Sequence, residues 1–190
     1  MSDDRSPHRR RQRPVKPLDP VRLEEMALAY VARFSTSAAK FERYLTRKLR
    51  EKGWEGEGEP PLAALVARYV ELGYINDESY ARMKSGSLLR RGYGARRVRQ
   101  ALGEAGIAED LRAEVAPGEA DAREAALTYA RRRRLGPFGA KGPDPTAREK
   151  QLAAMVRAGH GFDAARALVD AASPAAAAQW AAEARDEEER

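Results

Sequence analysis

At 190 residues, 43% of them apolar and 34% charged, the chain is long enough to bury a real core, either as one domain or as an array of smaller units. Lys and Arg outnumber Asp and Glu by 35 to 29, a net charge of +6 that points to an anionic partner, nucleic acid or an acidic protein surface. The absence of cysteine excludes a disulfide framework, a thiolate metal site and a Cys nucleophile. No apolar run approaches the roughly 20 residues of a membrane helix, and the basic N-terminus has no apolar signal core. A cytoplasmic protein without a membrane partner is expected.

Residues 1–20 hold four prolines and six Lys/Arg and almost nothing apolar, which reads as a disordered basic arm. It either adds non-specific attraction to phosphates or serves only as a solubilising tail. From Val21, the residues Leu23, Met26, Ala27, Tyr30, Val31 and Phe34 follow the spacing of an amphipathic helix. Ser35-Thr36-Ser37 then stops the first helix and caps the second, which carries Phe41, Tyr44, Leu45 and Leu49 on one side and ends at Gly53. After the polar loop Glu55–Pro60, Pro61 opens a third helix with the stripe Leu62, Leu65, Val66, Tyr69, Val70 and Leu72. Asn76 or Asp77 caps a fourth, carrying Tyr80, Met83 and Leu88.

Between Ser79 and Gly103 stand seven Lys/Arg and no acidic residue. Within that stretch Arg90-Arg91-Gly92-Tyr93-Gly94 breaks two helical patterns. In the run Ala95 to Ala105 that follows, Ala95, Val98, Ala101, Leu102 and Ala105 share one arc, while Arg96, Arg99, Gln100 and Gly103 lie opposite. One face packs and the other offers positive charge. Further on come a short helix from Glu109, a helix opening at Asp121 and ending in Arg131-Arg132-Arg133-Arg134, and the loop Gly136–Pro143. Asp144 caps the next helix, another runs from Asp163 to Ala172, and an Ala-rich helix with an acidic end closes the chain.

Leu49-x-x-x-Gly53, Leu102-x-x-x-Gly106 and Met155-x-x-x-Gly159 repeat a glycine-ended helix at a constant offset of 53 residues. The fold expected is all-α: an elongated array of three tandem three-helix repeats with flexible termini. The repeats span 21–75, 76–117 (the most basic) and 118–172, followed by the Ala-rich helix and acidic tail at 173–190.

The run Asp77-x-x-Tyr80-Ala81, with Arg90-Arg91-Gly92-Tyr93-Gly94-x-Arg96-Arg97-Val98-x-x-x-Leu102-x-x-x-Gly106-Ile107, resembles the RecX family of bacterial recombinase regulators. The resemblance extends to Leu72–Asp77 before it, and to Arg132–Phe138 and Gly159–Phe162 after it. It implies a helical three-repeat protein that lies in the groove of the RecA filament on single-stranded DNA, hinders coprotease and strand-exchange functions and is not an enzyme. Carried over residue by residue, the matching partner-binding positions are Arg90, Arg91, Tyr93, Arg96, Arg97 and Arg99. Arg131, Arg132, Arg133 and Arg134 read either as a second basic contact or as charges favoured by a helix C-terminus.

No phosphate loop, nucleophile elbow or framed carboxylate pair is present, so no catalytic residue and no cofactor are assigned. His8 and His160 stand alone, without partners at metal-ligand spacing. The remaining alternative is a helix-turn-helix-like module whose Ala95–Ala105 helix enters a major groove, binding single- or double-stranded DNA directly. A monomer is expected, since no heptad seam suggests a dimer.

Overall fold

The computed structural model describes residues 16–139, 144–188 and 190, which form ten α-helices without a strand longer than one bridge. Most of the basic arm and residues 140–143 of the loop before Asp144 lie outside the described residues. The helices are α1 (Pro20–Val31), α2 (Ala38–Lys52), α3 (Leu62–Glu71), α4 (Asp77–Arg90), α5 (Ala95–Glu104) and α6 (Glu109–Glu114), followed by α7 (Glu119–Arg133), α8 (Pro145–Arg157), α9 (Phe162–Val169) and α10 (Pro174–Glu188). Side-chain caps set several starts. The Ser37 hydroxyl accepts from the Lys40 N–H, Asn76 from Ser79 and Asp144 from Ala147, each satisfying a donor that the first turn leaves open.

The buried side chains divide into three cores. Leu23, Ala27, Phe41, Leu45, Tyr69 and Ile75 make the first, from α1 to α3. Tyr80, Ala81, Leu88, Val98, Leu102 and Ile107 make the second, from α4 to α6. Leu127, Ala130, Leu152, Met155, Ala165 and Leu168 anchor the third, from α7 to α9. This is the all-α helical repeat expected from the glycine spacing.

All three glycines have positive φ, 85° at Gly53, 78° at Gly106 and 100° at Gly159; Gly53 is itself the C-cap of α2, whereas the other two follow the C-caps Ala105 and Ala158. An L side chain adopts that geometry only with strain. The helix ends at Gly106 and Gly159 also join the units. The Ser37 hydroxyl donates to the Ala105 carbonyl at 2.5 Å, and Arg43 donates to the Glu104 carbonyl at 2.8 Å. One unit along, the Gly94 N–H donates to the Ala158 carbonyl at 3.0 Å and the Arg96 N–H to the Gly159 carbonyl at 3.1 Å. The middle helices α2, α5 and α8 therefore run in a row, each N-terminus against the C-terminus of the next. Partial positive and negative dipole ends meet at both joints.

Leu18, within the stretch expected to be an arm, is only 2% exposed. Its N–H donates to the Gly53 carbonyl and its carbonyl accepts from Glu55, so it closes the open end of α2. At the other end Ala177 and Ala181 of α10 enter the third core.

Four large apolar residues differ from their expected places. Phe34 is 55% exposed, because α1 ends at Val31 and leaves it beyond the helix. Val70 and Leu72 are 45% and 58% exposed, because at 100° per residue they fall about 80° to either side of Leu62, at the edges of the stripe. Met83 is 46% exposed; Ala81 and Ser85 share the buried side of α4 with Tyr80 and Leu88, and Met83 lies across from them.

Candidate functional site

Docking α5 against α2 turns the charged edges of the two helices toward one another. Lys40, Arg43 and Arg47, at helical spacing on α2, face Lys84 of α4, Arg91 at its C-cap and Arg97 of α5. Together they line a groove of about 710 Å³ between the first and second units, with Glu104 as its one carboxylate. Between the second and third units Arg91, Arg132, Arg133 and Arg157 line a further groove of about 540 Å³. Both grooves are lined by Arg91 and Tyr93, so they adjoin there, and the two together are the trough that touches all three units.

Tyrosines alternate with these cations. Tyr30 and Tyr44 are stacked with centroids 3.9 Å apart and planes 20° apart. The Arg47 guanidinium lies 5.7 Å from the Tyr44 ring centre and that of Arg91 5.3 Å from Tyr93. The Lys40 ammonium lies 5.2 Å from the Tyr80 ring centre and donates to the Tyr80 hydroxyl at 3.0 Å. The two guanidinium pairings are attractive through the ring quadrupole, whereas Lys40 sits at the hydroxyl end of Tyr80. Tyr129 lines the second groove.

Ion pairs are sparse in the trough. Elsewhere several arginines find carboxylates, such as Arg68 on Glu24, Arg82 on Glu78 and Glu114, and Arg148 on Asp170. In the trough only Arg47 does, on Glu51. Among the described residues no carboxylate pairs with Lys40, Arg43, Lys84, Arg91, Arg97, Arg132, Arg133 or Arg157. Gathering like charges without counter-charge is unfavourable at these separations, and an anionic occupant would relieve it.

Of the positions carried over from the family motif, Arg91, Tyr93 and Arg97 lie in the trough. Arg90 is exposed and lines neither groove. Arg96 donates from its guanidinium to the Val156 carbonyl at 2.7 Å and helps join α5 to α8. Arg99 pairs with Glu109, which also takes Arg112, on the opposite side of α5 from the trough. In the second basic run, Arg132 and Arg133 line the trough, and Arg132 donates to the Arg91 carbonyl at 3.2 Å. Arg131 lies over the Phe138 ring, and Arg134 ends α7 with φ 53°. Sequence reasoning passed over Lys40, Arg43, Arg47, Tyr44, Lys84, Tyr129 and Arg157. The available signal was the spacing of Lys40, Arg43 and Arg47 around Tyr44.

His160 sits at the joint beneath this wall, 4% exposed, its Nε2 3.0 Å from the Gly92 carbonyl and its ring 5.6 Å from that of Tyr129. Burial holds the imidazole below its ordinary pKa, partly offset by the Gly92 carbonyl. Among the described residues no cluster of His, Asp and Glu suits a metal ion, and no helix is long and apolar enough to cross a membrane.

The RecX second three-helix domain matches residues 76–115, the unit built on α4 to α6. The regulatory protein RecX of Myxococcus xanthus is 36% identical over 176 residues, covering 88% of this chain and 94% of that protein. Its counterpart from Stenotrophomonas maltophilia is 35% identical over 120 residues, 63% of this chain and 69% of its own. The crystal structure of RecX from Lactobacillus salivarius superposes with a TM-score of 0.63 at 16% identity, covering 79% of this chain and 94% of that one. With three units, three glycine-ended middle helices and a relative matched over nearly its whole length, the chain belongs to the RecX family of regulatory proteins.

Proposed function

We propose that this protein binds the RecA filament on single-stranded DNA and restrains its ATPase, coprotease and strand-exchange activities. It acts by binding, as a cytoplasmic monomer in recombination, repair and the SOS response, and performs no chemistry of its own. The observation that carries this reading beyond family membership is the trough, a run of cations across three units in which only Arg47 has a carboxylate partner. A trough of this kind suits a long anionic surface better than a compact ligand. Desolvated arginine contacts to carboxylate or phosphate contribute about 1–3 kcal/mol each. A few of them bias a filament between two states when the regulator binds one state better than the other.

The helix-turn-helix alternative loses its geometry. A recognition helix enters the major groove with its N-terminal residues free, whereas the N-terminus of α5 is hydrogen-bonded to Ala158 and Gly159. The test is RecA's DNA-dependent ATP hydrolysis and filament length with this protein added substoichiometrically, beside Lys84→Glu/Arg97→Glu. Suppression and shortening by the native protein, lost in the variant, are expected. A native protein without effect on RecA that shifts naked duplex DNA would sink the reading.

A further inference from the structure

We propose that the trough takes a single strand of nucleic acid directly, without a recombinase present, its phosphates on the cations and its bases against the tyrosines. The inference rests on the trough being the contact surface argued above, and it names what the trough holds.

Charge alone does not choose between an acidic protein face and a polynucleotide. Aromatic interleaving does. Tyr44 is half-buried, backed by Tyr30 on one side and carrying the Arg47 guanidinium near its ring. Tyr93 is half-buried with Arg91 beside it, on the wall common to both grooves, and Tyr129 continues the series into the second groove. Planar rings set among cations along one path match a chain that alternates planar bases with phosphates. Carboxylates on a protein face would use the cations and leave the rings without partners. A duplex keeps its bases stacked inside and offers the tyrosines only its backbone. A single strand uses both sets of groups.

The charges support the same occupant. Lys84, Arg91, Arg97, Arg132, Arg133 and Arg157 have no carboxylate partner among the described residues, whereas Arg68, Arg82, Arg99 and Arg148, away from the trough, each have one. Each phosphate they neutralise releases condensed counterions, which adds affinity at low salt.

The experiment is fluorescence anisotropy with the full chain and no recombinase. It uses labelled oligothymidylate of about 20 nucleotides, an abasic strand of the same length, the matching duplex and oligoglutamate. The abasic strand keeps the phosphates and lacks the bases. Oligothymidylate is expected to bind on the order of tenfold or more tightly than the abasic strand. Tyr44→Leu/Tyr93→Leu, which keeps apolar bulk, should bring oligothymidylate down to the abasic level and leave abasic binding unchanged. Lys84→Ala/Arg91→Ala should weaken both strands alike and lower the salt slope by roughly one to two.

Equal binding of the abasic and thymidylate strands by the unaltered protein overturns the proposal, whatever the variants do. So does a preference for duplex, or oligoglutamate binding as well as oligothymidylate. If RecA is suppressed through the trough while oligothymidylate is not held, this inference falls and the RecA reading stands. If oligothymidylate binds by its bases and RecA is unaffected, the reverse holds.

Discussion

Arg97 and Arg99 stand two positions apart on α5 and differ in what surrounds them. Arg97 lines the trough, with its guanidinium 3.0 Å from the Gln100 amide oxygen, whereas Arg99 is held by Glu109 on the other side of the helix. Arg97→Glu places a negative charge among Lys84, Arg91 and Arg43. Under the proposed function it should abolish most suppression of RecA's ATPase, assayed by phosphate release. Arg99→Glu should leave suppression nearly intact, since exposed pairs of that kind contribute only about 0–1 kcal/mol. A larger loss from Arg99→Glu would move the contact surface to the other side of α5. The sequence pattern favoured Arg96 and Arg99 because both lie opposite the arc of Val98 and Leu102. Lying away from the unit's own core is a different property from facing the neighbouring unit. That second property depends on how α2 and α5 dock, through Ser37 and Ala105, and periodicity within one helix does not carry it.

At the scale of elements, the joints are the sensitive places. The offset of Gly53, Gly106 and Gly159 was legible as helix ends, and all three have positive φ. Their second role was hidden, because it depends on residues far away in the chain. Gly106 is packed so closely on Ala39 that an added Cβ would run into the alanine methyl, whereas nothing lies within 4 Å of one at Gly73. Gly73→Ala should therefore cost only backbone strain, about 1–2 kcal/mol. Gly106→Ala adds overpacking, about 1–3 kcal/mol more, and the difference is measurable by denaturant unfolding. Equal losses would show that the α2–α5 joint contributes nothing beyond the helix end. His160 makes the other joint sensitive to acid. Its folded pKa is depressed by burial, so the unfolded chain takes up the proton first as pH falls below the ordinary histidine value near 6.5. Stability is full above that value and declines below it, toward the lower folded pKa. The thermal midpoint should thus drop between about pH 7 and pH 5, and His160→Leu should reduce that drop. An unchanged slope in the variant would assign the acid sensitivity to other groups.

Across the whole molecule, three cores joined at two helix-end joints make stability a sum of local terms and interface terms. An array of this kind exposes apolar surface at its ends unless something covers it. Leu18 does so at one end, and α10 at the other. Ala177, Ala181 and Ala184 of α10 are at most 4% exposed, and the Trp180 carbonyl accepts a hydrogen bond from Arg123 of α7 at 3.1 Å. In sequence this read as an Ala-rich helix outside the three repeats, because alanine on every side leaves little contrast to mark a packing face. The stripe at positions four and then three residues apart becomes meaningful only once α7 is beside it. Removing residues 174–190 should therefore uncover the third core while leaving the first and second covered. In hydrogen exchange, amides of α7, α8 and α9 should lose most of their protection, with those of α2 and α5 retaining theirs. Trp54, packed on the first core and hydrogen-bonded to the Gly58 carbonyl, should keep its native emission in the truncated chain. If protection in α2 and α5 collapses together with that in α8, the units share one cooperative core, and the row of middle helices couples them more strongly than their separate cores imply.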